Sequence, residues 1–260
     1  MKTLLKTNRA LLIGAGIFGI ALLGLAFQNK PAAPAIFLIG DSTMAERKEP
    51  VEVNPERGWG QALHLYFRDE VAIHNHAVNG RSSKSFIDEG RWDKVMELLK
   101  PGDYVLIQFG HNDQKFKDPT RYTNPTSGYY HNLSRFVVDT RSKGAIPILL
   151  TSIVRRNFNE FGTLEDTHGI YPLIVRQVAN DLDVLLIDHL SKTEKVVLGL
   201  GPERSKEIYF WIEPGTYDKL PDGKQDNTHL SEKGAVLYAG MVAGAIRQSD
   251  LPLKEFVILK

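Results

Sequence analysis

Strand and helix signals alternate five times between residues 36 and 246, and this alternation restricts the chain to an α/β fold, a parallel sheet covered by helices on both faces. Strands are read at Ile36–Ile39, Val71–Val78, Tyr104–Phe109, Ile146–Thr151 and Val184–Ile187. The first is a continuous apolar run, as expected of a strand buried on both sides. The helices follow from 3.6-residue spacing. Trp92, Val95, Met96 and Leu99 share a face that ends at Pro101-Gly102, and Tyr130, Leu133, Val137 and Thr140 share another that ends at Gly144. Tyr171, Ile174, Val175, Val178 and Leu182 form the next, and Ser231 caps a last helix whose stripe is Ala235, Tyr238, Met241, Val242, Ala245 and Ile246. No repeat interrupts the pattern, so residues 35–260 read as one domain.

Ahead of that domain, Ala10 to Phe27 is an unbroken apolar run behind Lys2, Lys6 and Arg9, the layout of a secretory signal or an amino-terminal membrane anchor. Residues 1–34 are therefore expected to be a leader and a Pro/Ala linker. The protein is expected to be exported: periplasmic, cell-surface or secreted, with membrane contact only through residues 10–27 if they are not cleaved. The chain has no cysteine, so disulfides, thiolate metal sites and a lipidated cysteine are excluded. Four of its 32 basic residues precede the domain, which leaves the rest with fewer basic groups than its 31 acidic ones. A nucleic-acid partner lacks the basic field it needs.

Gly40-Asp41-Ser42 ends the first strand abruptly and places Ser42 at a strand-to-helix turn. In an open parallel sheet, ligands bind beyond the carboxyl ends of the strands, where free backbone N–H groups also lie. Asp41 and Ser42 are equally good as plain helix caps. Three further polar clusters favour chemistry: Asn79-Gly80-Arg81-Ser82, Gly110-His111-Asn112-Asp113 and Asp226-Asn227-Thr228-His229. Acyl transfer needs a hydroxyl nucleophile, an imidazole base, a carboxylate to orient it, and donors for the developing oxyanion. Ser42, His229 and Asp226 supply the first three. The backbone amides of Ser42 and Gly80 and the side-chain amide of Asn112 supply the donors.

These four clusters resemble the ordered sequence blocks of the SGNH, or GDSL-type, hydrolase superfamily, and more narrowly its rhamnogalacturonan acetylesterase branch. Thr151-Ser152-Ile153-Val154-Arg155-Arg156 is similar to a further stretch of that branch. The resemblance runs from Ile36 to about Gln248. It implies a flavodoxin-like three-layer α/β/α sandwich with a five-stranded parallel sheet, no metal or other cofactor, and removal of acetyl groups from pectin. By the same carry-over, Ser42, Asp226 and His229 form the triad, and Ser42, Gly80 and Asn112 donate to the oxyanion.

Other readings remain open at this level. His111 is the rival base, although with Asp113 it reads better as a brace for the loop that presents Asn112. His74 and His76 lie on one strand face and could pair with His229 and Asp226 around a metal. The Gly-x-Ser-x-Gly elbow of α/β-hydrolases is absent from the sequence. An acetylated uronate polysaccharide would suit Arg81 as a carboxylate partner and Trp59 or Trp211 as a sugar platform. Acetylxylan, lipid esters, or glycan binding without catalysis are the alternative functions. Gly201 to Gln225 reads as a long polar loop beside the site.

Overall fold

The computed structural model describes residues 33–258. The expected leader lies outside the described residues. Five parallel strands form the main sheet in the order β3-β1-β4-β5-β6: β1 (Ile36–Gly40), β3 (Ile73–Asn75), β4 (Tyr104–Gln108), β5 (Ile146–Leu150) and β6 (Leu185–Ile187). Period-two alternation along these strands builds two cores at once. Ile36 and Leu38 of β1, with Tyr104 and Leu106 of β4, enter one core; Phe37 and Ile39, with Val105 and Ile107, enter the other.

The first core is closed by α1 (Trp59–Ala62), α6 (His189–Arg204) and α7 (Glu232–Arg247), through Trp59, Leu190, Val197, Tyr238 and Val242. The second is closed by α2 (Ser83–Asp88), α3 (Arg91–Leu98), α4 (Tyr130–Ser142) and α5 (Tyr171–Asp181), through Phe86, Trp92, Phe136, Val175 and their neighbours. This is the expected three-layer sandwich. Among the described residues no helix is long and apolar enough to cross a membrane.

Three segments depart from the sequence reading. The second strand is shorter than Val71–Val78 because Asn75 Oδ1 accepts the Ala77 N–H at 3.1 Å and turns the backbone; the chain rejoins β1 through His76 N–H to the Leu38 carbonyl, 2.8 Å. Gly201 to Gln225 is largely ordered structure. It contains the end of α6, kinked where Gly201 adopts φ 72°, then a 3-10 turn and β7 (Tyr209–Ile212). The polar cluster Asp226–His229 lies within β8 (Lys224–Ser231), which pairs antiparallel with β7 and with β2 (Glu56–Arg57) in a second, three-stranded sheet.

The order of the main sheet reverses around β1, so the crevice forms at the carboxyl ends of β1 and its neighbour β4. Ser42 follows β1, Gly80 follows β3 and Asn112 follows β4. The small sheet brings its own residues to that edge.

Candidate active site

Ser42 lies in a tight turn, not at the head of a helix: Met44 and Ala45 N–H both donate to the Asp41 carbonyl, at 3.2 and 3.0 Å, and the next helix begins only at Trp59. Asp41 is fully buried and fixes the turn from inside. Its Oδ1 accepts from the Thr43 amide and hydroxyl at 2.9 and 2.8 Å, and its Oδ2 lies 3.2 Å from His111 Nδ1. Burial is the main influence holding His111 neutral, so its Nδ1–H donates to the Asp41 carboxylate.

Ser42 Oγ lies 2.8 Å from His229 Nε2, and His229 Nδ1 lies 2.8 Å from Asp226 Oδ2. A carboxylate only accepts, so Nδ1 carries the proton and Nε2 is left to accept from the serine hydroxyl. Asp226 Oδ1 accepts the Thr228 and His229 amides at 2.8 and 3.0 Å, and with these bonds and the imidazole it stays ionised well below the usual carboxylate range despite burial. Burial, the largest single influence, disfavours the imidazolium of His229; Asp226 and then Glu56 outweigh it and raise the His229 pKa.

The polar sequence around His229 reaches the site by a bulge. Tyr209 of β7 pairs with Leu230 and the adjacent Phe210 with Asp226, so Asn227, Thr228 and His229 are looped out of the ladder. Arg156 clips this loop: its amide donates to the Asn227 carbonyl and its Nη1 to Asn227 Oδ1, both at 2.8 Å. Trp211 donates its indole N–H to the same oxygen at 2.9 Å, and its ring lies against the Arg156 guanidinium and the Lys206 ammonium, 4.6 and 4.7 Å from the centroid.

On the other side of Ser42, Gly80 adopts φ 75°, which favours glycine, and the amides of Ser42 and Gly80 donate to no acceptor among the described residues. Asn112 Nδ2 donates one hydrogen to the Arg81 carbonyl at 3.1 Å and keeps the other. Gly110 is needed before it, since a Cβ there would stand 2.6 Å from Ser152 Oγ. Asp113 is buried and anchors the loop on the Ser83 amide, the Ser83 hydroxyl and the Thr123 hydroxyl; burial pushes its pKa up to about 6. The Ser42 and Gly80 amides and the second Asn112 hydrogen are thus left as the kind of donor a developing oxyanion requires.

Arg47 and Glu56 carry no recognisable spacing and were not legible in the sequence. Arg47 donates to the Ser42 carbonyl at 3.0 Å, to Asn79 Oδ1 at 2.8 Å and to Glu56, whose Oε1 is 4.0 Å from His229 Nε2. One guanidinium thus ties the serine turn, the residue before Gly80 and β2 together.

One of the expected sugar contacts is corrected. Trp59 is fully buried and donates its indole N–H to Gln108 Oε1 at 3.0 Å, so it has no face open to a sugar. Trp211 braces the His229 loop and lines, with Glu213 and Asp222, a cleft that shares Lys224 with the cleft containing His229. Arg81 is at the surface, with Nε on Glu89 at 3.1 Å and Nη1 on the Asn79 carbonyl at 3.0 Å. His74 and His76 stack on Phe37, and among the described residues no group of three or more His, Asp or Glu is placed to hold a metal ion.

Residues 38–237 match the GDSL-like Lipase/Acylhydrolase family. Rhamnogalacturonan acetylesterase RhgT of Bacillus subtilis (strain 168) is 44% identical over 223 residues, 86% of this chain and 94% of that protein. Among solved structures, YxiM of Bacillus subtilis superposes with a TM-score of 0.70 at 24% identity, covering 83% of this chain and 56% of that one. A catalytic mutant of Axe2, an acetylxylan esterase from Geobacillus stearothermophilus, superposes with a TM-score of 0.57 at 18% identity, covering 82% and 94%. At such identities these two likenesses speak for the fold alone. The family match runs from β1 through the His229 loop into α7, taking in every segment that builds this crevice, and the chain therefore belongs to the GDSL-like lipase/acylhydrolase family.

Proposed function

We propose that this chain removes O-acetyl groups from an acetylated pectic polysaccharide of the rhamnogalacturonan type by a serine acyl-enzyme route. The observation that carries the chemistry is the 2.8 Å approach of Ser42 Oγ to an imidazole held from behind by Asp226. The named activity of the 44% identical relative supports the substrate.

Ser42 Oγ adds to the acetyl carbonyl carbon while its proton passes to His229 Nε2. The negative charge on the former carbonyl oxygen is met by the Ser42 and Gly80 amides and by Asn112 Nδ2. Collapse breaks the bond to the sugar oxygen, which takes the proton from His229 and leaves as the alcohol. Water, deprotonated by the neutral His229, then attacks the acetyl-serine, and acetate departs as Ser42 recovers its proton. Asp226 remains ionised throughout and holds the imidazole in the tautomer the cycle needs.

The site stands between two surface clefts, one of about 720 Å³ lined by Asn79, Gly80 and Arg81, the other of about 470 Å³ lined by Glu56, Phe210 and His229. Recesses on both the oxyanion and the base side suit a chain whose acetylated sugar is internal. The reading includes export through residues 1–34, checked by mass spectrometry of the mature amino terminus.

Acetate release from acetylated rhamnogalacturonan, acetylated xylan and longer-chain esters, by the wild type and by Ser42→Ala, tests the proposal. Fast release from the pectic substrate, abolished in the variant, is expected. Undiminished turnover by Ser42→Ala overturns the serine route; preference for xylan or long acyl chains reassigns the substrate, and binding of glycan without turnover of any ester leaves a binding protein.

A further inference from the structure

The cleft beside Gly80 has the α2 residue Lys84 on one side and residues 119–121 on another, and Lys84 Nζ donates to the Pro119 carbonyl at 2.6 Å, tying the two together. Arg121 reaches the Gly80 turn: a Cβ built on Gly80 would lie 3.5 Å from its Nη1. Asp118 holds its Nε at 2.5 Å, which fixes the plane of the guanidinium, and its Nη groups make no hydrogen bond among the described residues. Lys115 forms no side-chain hydrogen bond or ion pair among them either. Burial lowers its pKa, the nearby charges of Arg121 and Arg155 lower it further, and Asp41 and Asp118 oppose them more weakly.

The neighbouring groups are otherwise engaged. Arg81 is committed to Glu89 and to a carbonyl, Glu89 is shared with Arg91, and Asp88 on α2 offsets part of the positive charge. The cleft on the His229 side is the more acidic one: Glu49, Glu56 and Asp226 line it, its Lys219 is paired with Glu49 at 2.7 Å, and Lys224 is its other lysine. A fixed guanidinium with a free edge is the donor that matches a carboxylate best, since two parallel N–H groups meet its two oxygens.

We propose that Arg121 recognises a uronate carboxylate of the polysaccharide, its free Nη edge docking the acidic sugar so that the acetyl group lies over Ser42. This rests on the substrate reading above and deepens it, because it assigns one residue to the choice of an acidic over a neutral chain. Lys84 and Lys115 add to the field without touching the carboxylate.

Binding is measured by calorimetry on full-length Ser42→Ala, which holds substrate without turnover, with and without Arg121→Gln. The ligands are a rhamnogalacturonan oligosaccharide and the same oligosaccharide with its carboxyls reduced to alcohols. Arg121→Gln is expected to weaken binding of the native oligosaccharide about tenfold, the low end for a charge-assisted bond at a partly exposed site, and to leave the reduced one unchanged. Arg121→Lys should recover part of the loss, and unchanged thermal unfolding shows that the fold is intact. Equal losses on both ligands, no loss, or no measurable binding of the native oligosaccharide overturns the assignment. Failure of the substrate reading itself shows separately, as absence of acetate release from the pectic substrate by the wild-type chain.

Discussion

Asp226 sets both the tautomer and the charge preference of His229, so removing its charge has two separable effects. Asp226→Asn is expected to lower kcat about a thousandfold or more on 4-nitrophenyl acetate with little change in KM, since the interaction it removes acts on the proton transfer. His229 is a base only when neutral, so activity should rise with pH through its raised pKa, later than for a free imidazole. Glu56→Gln removes a charge that favours the imidazolium and leaves Arg47 unbalanced; both effects move the acid limb of the kcat/KM profile to lower pH, and an unmoved limb would rule out the coupling. Stability runs the other way. A His pKa raised on folding contributes stability that is complete below 6.5, its ordinary value, and is lost as pH rises through the folded value. The pair therefore stabilises the fold best in weak acid, where the base is protonated and idle. The Ser42–His229–Asp226 contact was legible because each of the three is a residue type with a chemical duty at the end of a strand or beside a turn. Arg47, Glu56 and Arg156 were not, because a side chain that positions another one needs only to arrive from any direction, and no spacing records that.

The parallel strands and most of their helices were legible from periodicity, because burial on two faces or on one stripe writes the element into the order of apolar residues. The small antiparallel sheet was not. Its β8 strand, Lys-Gln-Asp-Asn-Thr-His-Leu-Ser, has one apolar side chain, and Leu230 is its one fully buried residue; pairing to β7 and β2 creates the strand where no pattern announces it. The first stretch of α6 was missed for a related reason: Gly201-Pro202 sit near its end and turn attention to a loop. Because β8 is held by pairing and not by its own burial, its bulge needs the outside clip that Arg156 provides. Arg156→Ala removes the side-chain bond to Asn227 and the stacking on Trp211 while its amide still holds the Asn227 carbonyl, and is expected to lower kcat by about one order of magnitude through misplacement of His229, with overall circular dichroism unchanged. Trp211→Phe, which keeps the ring and loses the indole N–H to Asn227, should fall between that variant and the wild type. A wild-type rate in Arg156→Ala would mean that the β7–β8 pairing and the main-chain bond to Asn227 fix the loop without the guanidinium.

The reacting groups belong to two parts of the molecule that differ in burial. Ser42, Gly80 and Asn112 follow strands of the main sheet; in β1 and β4 every residue is buried, and each strand is backed by a core on both sides. His229 and Asp226 ride on β8, where Lys224 and Gln225 are exposed and the next four residues only partly buried. Local opening costs less where fewer apolar contacts are lost, so the small sheet should separate from the crevice before the sandwich unfolds. The catalytic distances would be lost with it while the five-stranded sheet persists. Inactivation by urea, followed with 4-nitrophenyl acetate in the denaturant, is therefore expected to reach its midpoint at a lower concentration than the far-ultraviolet circular dichroism transition. Backbone amides of residues 224–229 should likewise exchange faster with deuterium than those of residues 36–39. Coincident transitions, with equal protection of the two segments, would show instead that the small sheet is welded to the sandwich and that the site is lost only when the whole domain unfolds.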